Sequence, residues 1–224
     1  MPARSYLLVP GHHDDAVIEA LAGTTGADVI IIDLEDSVPP EARAQAVANL
    51  RREPTGNDVR VLCRIRPGLT NRLEDIAVLP PWVDGVLLAQ ASSAADVELV
   101  DEALRAGEVQ RTISLLLESA YAVENLPELL AAAPIEAIML GPHDLRSDVG
   151  LAATPDESEL QYPRARMAFA ARAAGVRNIV DGPYAGHVDG LRCALQRAGA
   201  LGHTGKIILG ADQAPVVNTF YANR

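Results

Sequence analysis

The chain has 224 residues, of which 49% are hydrophobic, and a formal net charge of -11 at pH 7. This size and apolar content suffice for one sizeable core, so we expect a single domain spanning residues 1–224. The negative charge and the absence of a Lys- or Arg-rich segment argue against nucleic acid or an anionic membrane as a partner. No apolar run is long enough to span a membrane and no signal peptide opens the chain, so we expect a cytoplasmic protein. Cys63 and Cys193 fit buried free thiols.

Short β-type runs alternate with helical segments along the chain. The predicted strands are Ser5–Val9, Asp28–Asp33, Val59–Ile65, Gly85–Ala89, Ile113–Glu118, Ala137–Gly141, Asn178–Asp181 and Lys206–Leu209. The predicted helices are Asp14–Leu21, Pro40–Arg52, Leu73–Leu79, Ala94–Arg105, Ala120–Ala132, Glu159–Ala174, Val188–Ala198 and Gln213–Tyr221. This alternation implies right-handed crossovers between parallel strands. Eight such units predict an α/β fold, a (β/α)8 TIM barrel, with an open doubly wound sheet as the alternative because sequence pattern cannot show closure.

Polar residues follow most of the predicted strands. The run from Ile30 to Pro40 is the clearest case, because an apolar strand leads directly into three carboxylates. The strand-end residues are Pro10, Gly11, His12, His13, Asp33, Glu35, Asp36, Arg64, Arg66, Gln90, Glu118, Gly141, Pro142, His143, Asp144 and Asp181. In a barrel the carboxyl ends of all strands meet at one rim, so we expect these groups to converge on one cavity, as in an enzyme.

Glu118 and Asp144 end neighbouring strands and could share one hard cation. Magnesium usually takes one or two protein carboxylates and keeps several water ligands. The alternative is that either acid caps the helix that follows it.

Arg64 closes its strand and suits the capture of a substrate carboxylate or phosphate. A structural ion pair of Arg64 with Asp33 or Glu35 is the alternative. Arg66 lies on the same strand face and is either a second anion-binding group or a rim residue.

Histidines near the strand ends are candidate acid/base groups, because their ordinary pKa lies close to working pH. His12 and His13 follow Gly11, which would allow a close approach of backbone to ligand. A surface-loop role is the alternative for each of them and for His143. His187 and His203 fall near helix ends and are interpreted as structural.

Several motifs together resemble the citrate lyase β-subunit (CitE-like) proteins of the HpcH/HpaI aldolase superfamily. The match runs nearly from end to end and rests on Arg4–Gly11, Ile31–Pro39, Arg64, Leu117–Ala120, Gly141, Asp144–Leu145, Asp148–Gly150, Gly205–Lys206, Gln213 and Val217–Asn218. The resemblance implies a Mg²⁺-dependent barrel that breaks or forms a carbon-carbon bond beside a carboxylate or thioester. It also implies a homo-oligomer, either a trimer or a hexamer.

Site roles follow from the resemblance by position. Glu118 and Asp144 would be the metal ligands, Arg64 would hold the substrate carboxylate, and Glu35 and Asp36 would organise the metal's water molecules. The acid/base group is not assigned, and either His12 or a metal-bound water is favoured over His143. The remaining substrate-binding candidates at the rim are Gly11, Arg66, Gln90, Gly141 and Pro142.

The sequence departs from the family pattern around the substrate. His12-His13 replace Asn-Arg, Arg66 replaces Asn, Ala89-Gln90 replace Pro-Lys, and Gly210-Ala211 replace His-Pro. The form Gly141-Pro142-His143-Asp144-Leu145 is nearer that of the HpaI-type pyruvate aldolases. The C-terminal lid of malyl- and citramalyl-CoA lyases is expected to be missing, which with the acidic charge makes a CoA thioester less favoured.

We therefore expect a carbon-carbon lyase or aldolase that acts on a small oxoacid or hydroxyacid, or on its thioester with CoA or a carrier protein. Two alternatives remain. One is a thioester hydrolase on the same scaffold, and the other is a non-catalytic barrel that binds metal and oxoacid.

Overall fold

Eight parallel strands form a closed barrel in the computed structural model, which describes residues 3–56, 59–186 and 188–222. The strands are β1 (Ser5–Pro10), β2 (Val29–Asp33), β3 (Arg60–Ile65), β4 (Gly85–Leu88), β5 (Thr112–Leu117), β6 (Ile135–Leu140), β7 (Asn178–Asp181) and β8 (Gly205–Ile208). Each strand pairs with the next in the chain, and β8 pairs with β1. The predicted single-domain (β/α)8 TIM barrel is confirmed, and the open sheet is excluded.

Helices connect successive strands on the outside of the barrel. They are α1 (Asp14–Leu21), α2 (Arg43–Asn49), α3 (Leu69–Ala77), α4 (Ala94–Arg105), α5 (Ala120–Glu124), α6 (Leu126–Ala132), α7 (Pro142–Val149), α8 (Gln161–Ala174), α9 (Val188–Ala200) and α10 (Ala214–Ala222). Gly150 and Gly175 end α7 and α8 in the left-handed conformation, which glycine adopts without steric cost. No helix among the described residues combines the length and apolarity needed to cross a bilayer.

Strand alternation sorts the apolar side chains into two layers. The barrel interior is filled by Tyr6, Val29, Ile31, Leu62, Leu87, Leu116, Met139, Val180 and Ile207. The alternate residues of the same strands, such as Ile30 and Ile32 of β2, pack outward against the helices. This alternation places the side chain of Asp33 on the interior face at the carboxyl end of β2. The strand register sets Arg64 of β3 directly beside it.

The structure differs from the sequence-based elements at a few places. The helix α7 was not predicted, because it is short and its sequence is mostly polar. The predicted helix Ala120–Ala132 divides at Asn125, where Pro127 opens a new first turn. Cys63 is buried as expected, but Cys193 is exposed on the outer surface of α9, so that prediction was wrong.

Candidate active site

A buried ion pair between Asp33 and Arg64 forms the base of the site. Arg64 Nε donates to Asp33 Oδ1 at 2.6 Å and Nη2 donates to Oδ2 at 2.5 Å, a bidentate arrangement. The backbone N–H of Glu35 and the hydroxyl of Ser37 also donate to the Asp33 carboxylate. Burial alone would raise the pKa of Asp33, but the hydrogen bonds and charge of Arg64 outweigh it and hold the pKa below its usual range.

The third guanidinium nitrogen of Arg64 faces the barrel mouth. Its Nη1 lies 3.2 Å from Glu35 Oε2 and 3.4 Å from Asp36 Oδ2. The sequence left open whether Arg64 pairs with Asp33 or Glu35 or faces a ligand. The structure shows the ion-pair alternative, because two nitrogens bind Asp33 and the third lies beside Glu35 and Asp36, and the contact with a substrate stays a prediction.

Four carboxyl groups interact at this mouth, namely Glu35, Asp36, Glu118 and Asp144. Burial raises the pKa of Glu118 to about 8, and the charges of Glu35 and Asp144 add to the rise. Burial likewise raises the pKa of Glu35 to about 7, although the Arg64 charge opposes the increase. Partial desolvation raises the pKa of Asp36, and the charge of Asp144 adds to the rise while the charge of Arg64 opposes it. Such repulsion among carboxylates is relieved by a bound cation.

The donor set fits a hard divalent cation that keeps water ligands. Among the described residues, no group of three or more His, Cys, Asp or Glu side chains has the arrangement of a metal cage. Glu118 and Asp144 could supply two carboxylate ligands, and water and substrate would supply the others, as magnesium prefers. Glu35 Oε2 is buried and accepts no hydrogen bond from any described residue, and the cation nearest to it is Arg64 Nη1 at 3.2 Å.

Neither Glu118 nor Asp144 is used as a helix cap. Ser119, not Glu118, caps α5 by accepting a hydrogen bond from Ala122 N at 3.2 Å. Asp144 lies inside the first turn of α7, whose capping position is occupied by Gly141, without a side-chain bond. The capping alternative is therefore excluded, and neither carboxylate is committed to a helix end.

Backbone of the neighbouring loops packs tightly around these acids. A Cβ on Gly141 would lie 2.8 Å from the Cβ of Glu118, and one on Gly11 would lie 2.5 Å from the carbonyl oxygen of Asp33. Pro142 is buried beside Gly182, at the first position of α7. Gln90 donates from its backbone N to Glu118 Oε1 at 2.7 Å and from Nε2 to Glu35 Oε1 at 3.3 Å. Glycine is required at both positions, because a side chain at 11 would displace the backbone of Asp33 and one at 141 would displace the side chain of Glu118.

An open cleft of about 530 Å³ extends from Glu118 and Asp144 toward the surface. Its lining consists of Gln90, Ala91, Ser92, Glu118, Ser119, Tyr121, Asp144, Ser147 and Asp148. Three carboxylates and three serine hydroxyls are present, and no basic residue lines the described part of this cleft. The cleft is therefore acidic and hydrogen-bonding in character.

Comparison with known proteins assigns the family. The profile of the HpcH/HpaI aldolase/citrate lyase family matches residues 4–210. The chain belongs to this family.

The most similar family members that we compared differ in their named activities. A citrate lyase subunit beta-like protein of Deinococcus radiodurans is 28% identical over 97% of this chain and 79% of its own length. A (3S)-malyl-CoA thioesterase of Cereibacter sphaeroides is 29% identical over 99% of this chain and 78% of its own. An L-malyl-CoA/beta-methylmalyl-CoA lyase of the same species is 27% identical, over 98% and 79%.

A solved structure of the same family contains a metal. CitE from Mycobacterium tuberculosis, in complex with magnesium and acetoacetate, superposes with a TM-score of 0.82 and 26% sequence identity. The alignment covers 98% of this chain and 90% of that protein. The expected resemblance to CitE-like proteins is thereby confirmed.

Some residues expected at the rim lie outside the acidic cluster. Arg66 forms ion pairs with Asp75 and Glu74, which favours the alternative of a rim residue over that of a second anion-binding group. Asp181 points outward to Arg164 and Lys206, so the expectation that it faces the cavity was wrong. The phase of strand β7 decides this, because Val180 occupies the interior.

The histidines are placed differently from one another. His12 is half-buried, and its Nδ1 has no hydrogen-bond partner among the described residues. His13 and His143 are exposed. His203 is buried against the carbonyl of Arg164, as expected of a structural residue. His187 lies outside the described residues.

Sequence reasoning missed two residues that support this site. Ser37 contacts the carboxylate of Asp33, and Arg72 donates to the carbonyls of the loop that carries Gln90. Ser37 lies inside the Ile31–Pro39 motif, so a search for hydroxyl groups near Asp33 could have found it. Arg72 lies on a helix whose sequence gives no sign that a charged side chain is buried.

Proposed function

We propose that this protein is a magnesium-dependent carbon-carbon lyase that acts on a small oxoacid or hydroxyacid, or on its acyl thioester. The observation that supports it best is that Glu35, Asp36, Glu118 and Asp144 gather at the barrel mouth beside Nη1 of Arg64, the guanidinium nitrogen that does not bind Asp33. Family membership supports the proposal, since one relative is named a malyl-CoA lyase and one CitE structure holds magnesium and acetoacetate.

In this proposal Glu118 and Asp144 hold the magnesium ion, and Glu35 and Asp36 orient the water molecules around it. When bound, the ion supplies positive charge that stabilises the negative charge developing on a substrate oxygen as the carbon-carbon bond breaks. The tight packing of Gly141 against Glu118 fixes the position of one ligand before the metal arrives.

Arg64 binds the carboxylate of the substrate through Nη1. Asp33 holds the other two nitrogens, so the guanidinium plane is fixed before substrate binds. His12 is the candidate acid/base group, because its buried Nδ1 is unpaired among the described residues. The loops that shape the substrate pocket carry Gly11, Gln90, Gly141 and Pro142.

A second candidate is hydrolysis of a thioester at the same site. The relative named (3S)-malyl-CoA thioesterase, 29% identical over 99% of this chain, favours it. The two reactions share the binding of an acyl group next to a carboxylate. They differ in the bond that breaks, which is a carbon-carbon bond in the lyase and the carbon-sulfur bond in the hydrolase.

The decisive experiment incubates the purified protein and magnesium with a panel of malate-, citramalate- and pyruvate-derived acids and their CoA thioesters. A lyase produces an oxoacid, which hydrazone formation detects, without a free thiol. A hydrolase releases a thiol, which a disulfide-exchange reagent detects, without an oxoacid. Absence of both products, with magnesium-dependent oxoacid binding in calorimetry, would favour a non-catalytic barrel.

Two variants test whether the reaction takes place at the barrel mouth. Glu118→Gln removes one charged ligand with little change of shape, so turnover should fall at least 100-fold, a typical cost for a group that stabilises transition-state charge. Glu136→Gln is the matched control, since Glu136 pairs with Arg60 at the opposite end of the barrel. Equal activity of the two variants would contradict the proposed site.

A further inference from the structure

The loop after β4 places Gln90 in a backbone conformation that is rare for a residue with a side chain. Its φ is 48°, in the left-handed region, and only Glu157 shares this feature among the described non-glycine residues. Such a conformation persists only where surrounding contacts hold it, and it often marks a functional position.

The left-handed turn directs the Gln90 backbone toward the acids of the site. The N–H of Gln90 donates to Glu118 Oε1 at 2.7 Å, and its side-chain Nε2 lies 3.3 Å from Glu35 Oε1. One residue therefore contacts acids that follow two different strands, β5 and β2. A hydrogen bond to one oxygen of Glu118 fixes the carboxylate orientation and leaves the other oxygen free to bind a metal.

Arg72 of α3 holds this loop from behind. Its side chain is buried, with 2% exposure, and Nη2 donates to the carbonyls of Ala89 at 3.3 Å and Gln90 at 3.1 Å. Its Nη1 bonds to Asp96, which also accepts from the backbone N and the hydroxyl of Ser92, each at 2.7 Å. Contacts on both sides of Gln90 therefore hold the peptide that faces Glu118.

We propose that Gln90 and Arg72 are positioning residues that set the metal affinity of the site by fixing the orientation of Glu118. This inference rests on the proposed function, in which Glu118 is a magnesium ligand. Arg72 acts through the loop and Gln90 acts directly on the ligand. Changes to groups that orient metal ligands typically weaken metal affinity about 10- to 100-fold.

The first test compares Arg72→Met with Arg111→Met by calorimetric titration of the metal-free protein with MgCl2. Arg111 is a matched control, because its Nη2 donates to two loop carbonyls, Leu79 at 3.2 Å and Pro80 at 3.0 Å, before β4 at the opposite end of the barrel. Arg72→Met should weaken magnesium binding about 10-fold or more, and Arg111→Met should change the Kd less than about 2-fold. Circular dichroism verifies that each variant folds.

The second test separates the backbone of Gln90 from its side chain. Gln90→Gly and Gln90→Val both remove the amide, but only glycine adopts the left-handed conformation freely. Gln90→Gly should keep the magnesium Kd within about 3-fold, whereas Gln90→Val should move the N–H away from Glu118 and weaken binding about 10-fold. Because valine is also the more strained residue at this position, urea denaturation of both variants checks that the difference in Kd does not come from a general loss of stability.

The outcomes distinguish this inference from the proposed function. If the wild-type protein does not bind magnesium, both are overturned. If it binds and the Arg72→Met and Gln90→Val variants bind equally well, the positioning role is overturned and the proposed function stands. If Arg72→Met does not fold, the ratio of Kd between the two Gln90 variants decides the question, and equal values overturn the inference.

Discussion

At the scale of single residues, the site depends on how Asp33 and Arg64 satisfy each other in the barrel interior. Both side chains are almost completely removed from water, and Asp33 lies on the last interior layer of β2. Burial of a charge is costly unless a partner of opposite charge compensates it with hydrogen bonds. The pair therefore has a structural role in addition to the proposed contact between Arg64 and substrate.

Replacement of Arg64 by Met should separate these two roles. The single variant leaves the Asp33 carboxylate buried without its counter-charge, so the free energy of unfolding should fall by about 3–5 kcal/mol in urea denaturation. The double variant Asp33→Asn/Arg64→Met should regain most of that loss but none of the activity. Arg105→Met is the control, because its pair with Asp101 lies on the surface of α4 and should matter by less than about 0.5 kcal/mol. Equal destabilisation by the single and double variants would contradict this account.

At the scale of secondary-structure elements, the periodicity of the sequence predicted where several elements begin and end, but it did not predict the contacts of their side chains. The bounds of α1, α4 and β7 agree with the sequence-based prediction, because each has a clear pattern and clear ends. The side on which Asp181 points could not be predicted, since β7 is apolar on both faces and its alternation has no visible phase. The partners of Arg72 could not be predicted either, because they are backbone carbonyls of another loop.

The outward side of β7 and β8 carries a buried charge network. Lys206 Nζ lies 2.6 Å from Asp181 Oδ2 and also donates to the carbonyl of Gly182, while Arg164 Nε of α8 lies 2.7 Å from Asp181 Oδ1. Burial alone would raise the pKa of Asp181, but the charges of Lys206 and Arg164 outweigh it and hold the pKa well below its usual range. The network ties the last two strands of the barrel to α8.

Acid should weaken this junction. Because the pKa of Asp181 is lower in the folded state, the unfolded state binds more protons, so the contribution is fully present above pH of about 4 and is lost as pH falls. The ordinary pKa of an aspartate is about 4. As the pH is lowered from about 5 to about 3, the free energy of unfolding should therefore fall less steeply in Asp181→Asn/Lys206→Met than in the wild type. Urea denaturation at each pH measures the slope. Equal slopes would show that Asp181 does not contribute to acid sensitivity.

At the scale of the whole molecule, the charge distribution favours a cation at the barrel mouth. The net charge is -11, and four of the carboxyl groups meet at the mouth, where Glu35 and Glu118 are buried, Asp144 is half-buried and Asp36 is exposed. Burial and mutual repulsion raise the pKa of Glu118 and of Glu35, so the metal-free fold carries an electrostatic cost at this site. A ligand that binds only the folded state and neutralises these acids must stabilise the entire barrel.

Magnesium should therefore raise the melting temperature of the protein. At a concentration of about 100 times Kd the stabilisation is about 2.7 kcal/mol. For a chain of this length that corresponds to a rise of about 5–10 °C.

NaCl at equal ionic strength should produce a much smaller change, because it screens surface charge without occupying the site. Glu118→Gln should remove most of the magnesium-specific rise, and Glu136→Gln should retain it, since Glu136 lies in an ion pair with Arg60 far from the mouth. A rise of equal size in Glu118→Gln would mean that magnesium stabilises the barrel through its acidic surface and not through the carboxylates at the mouth.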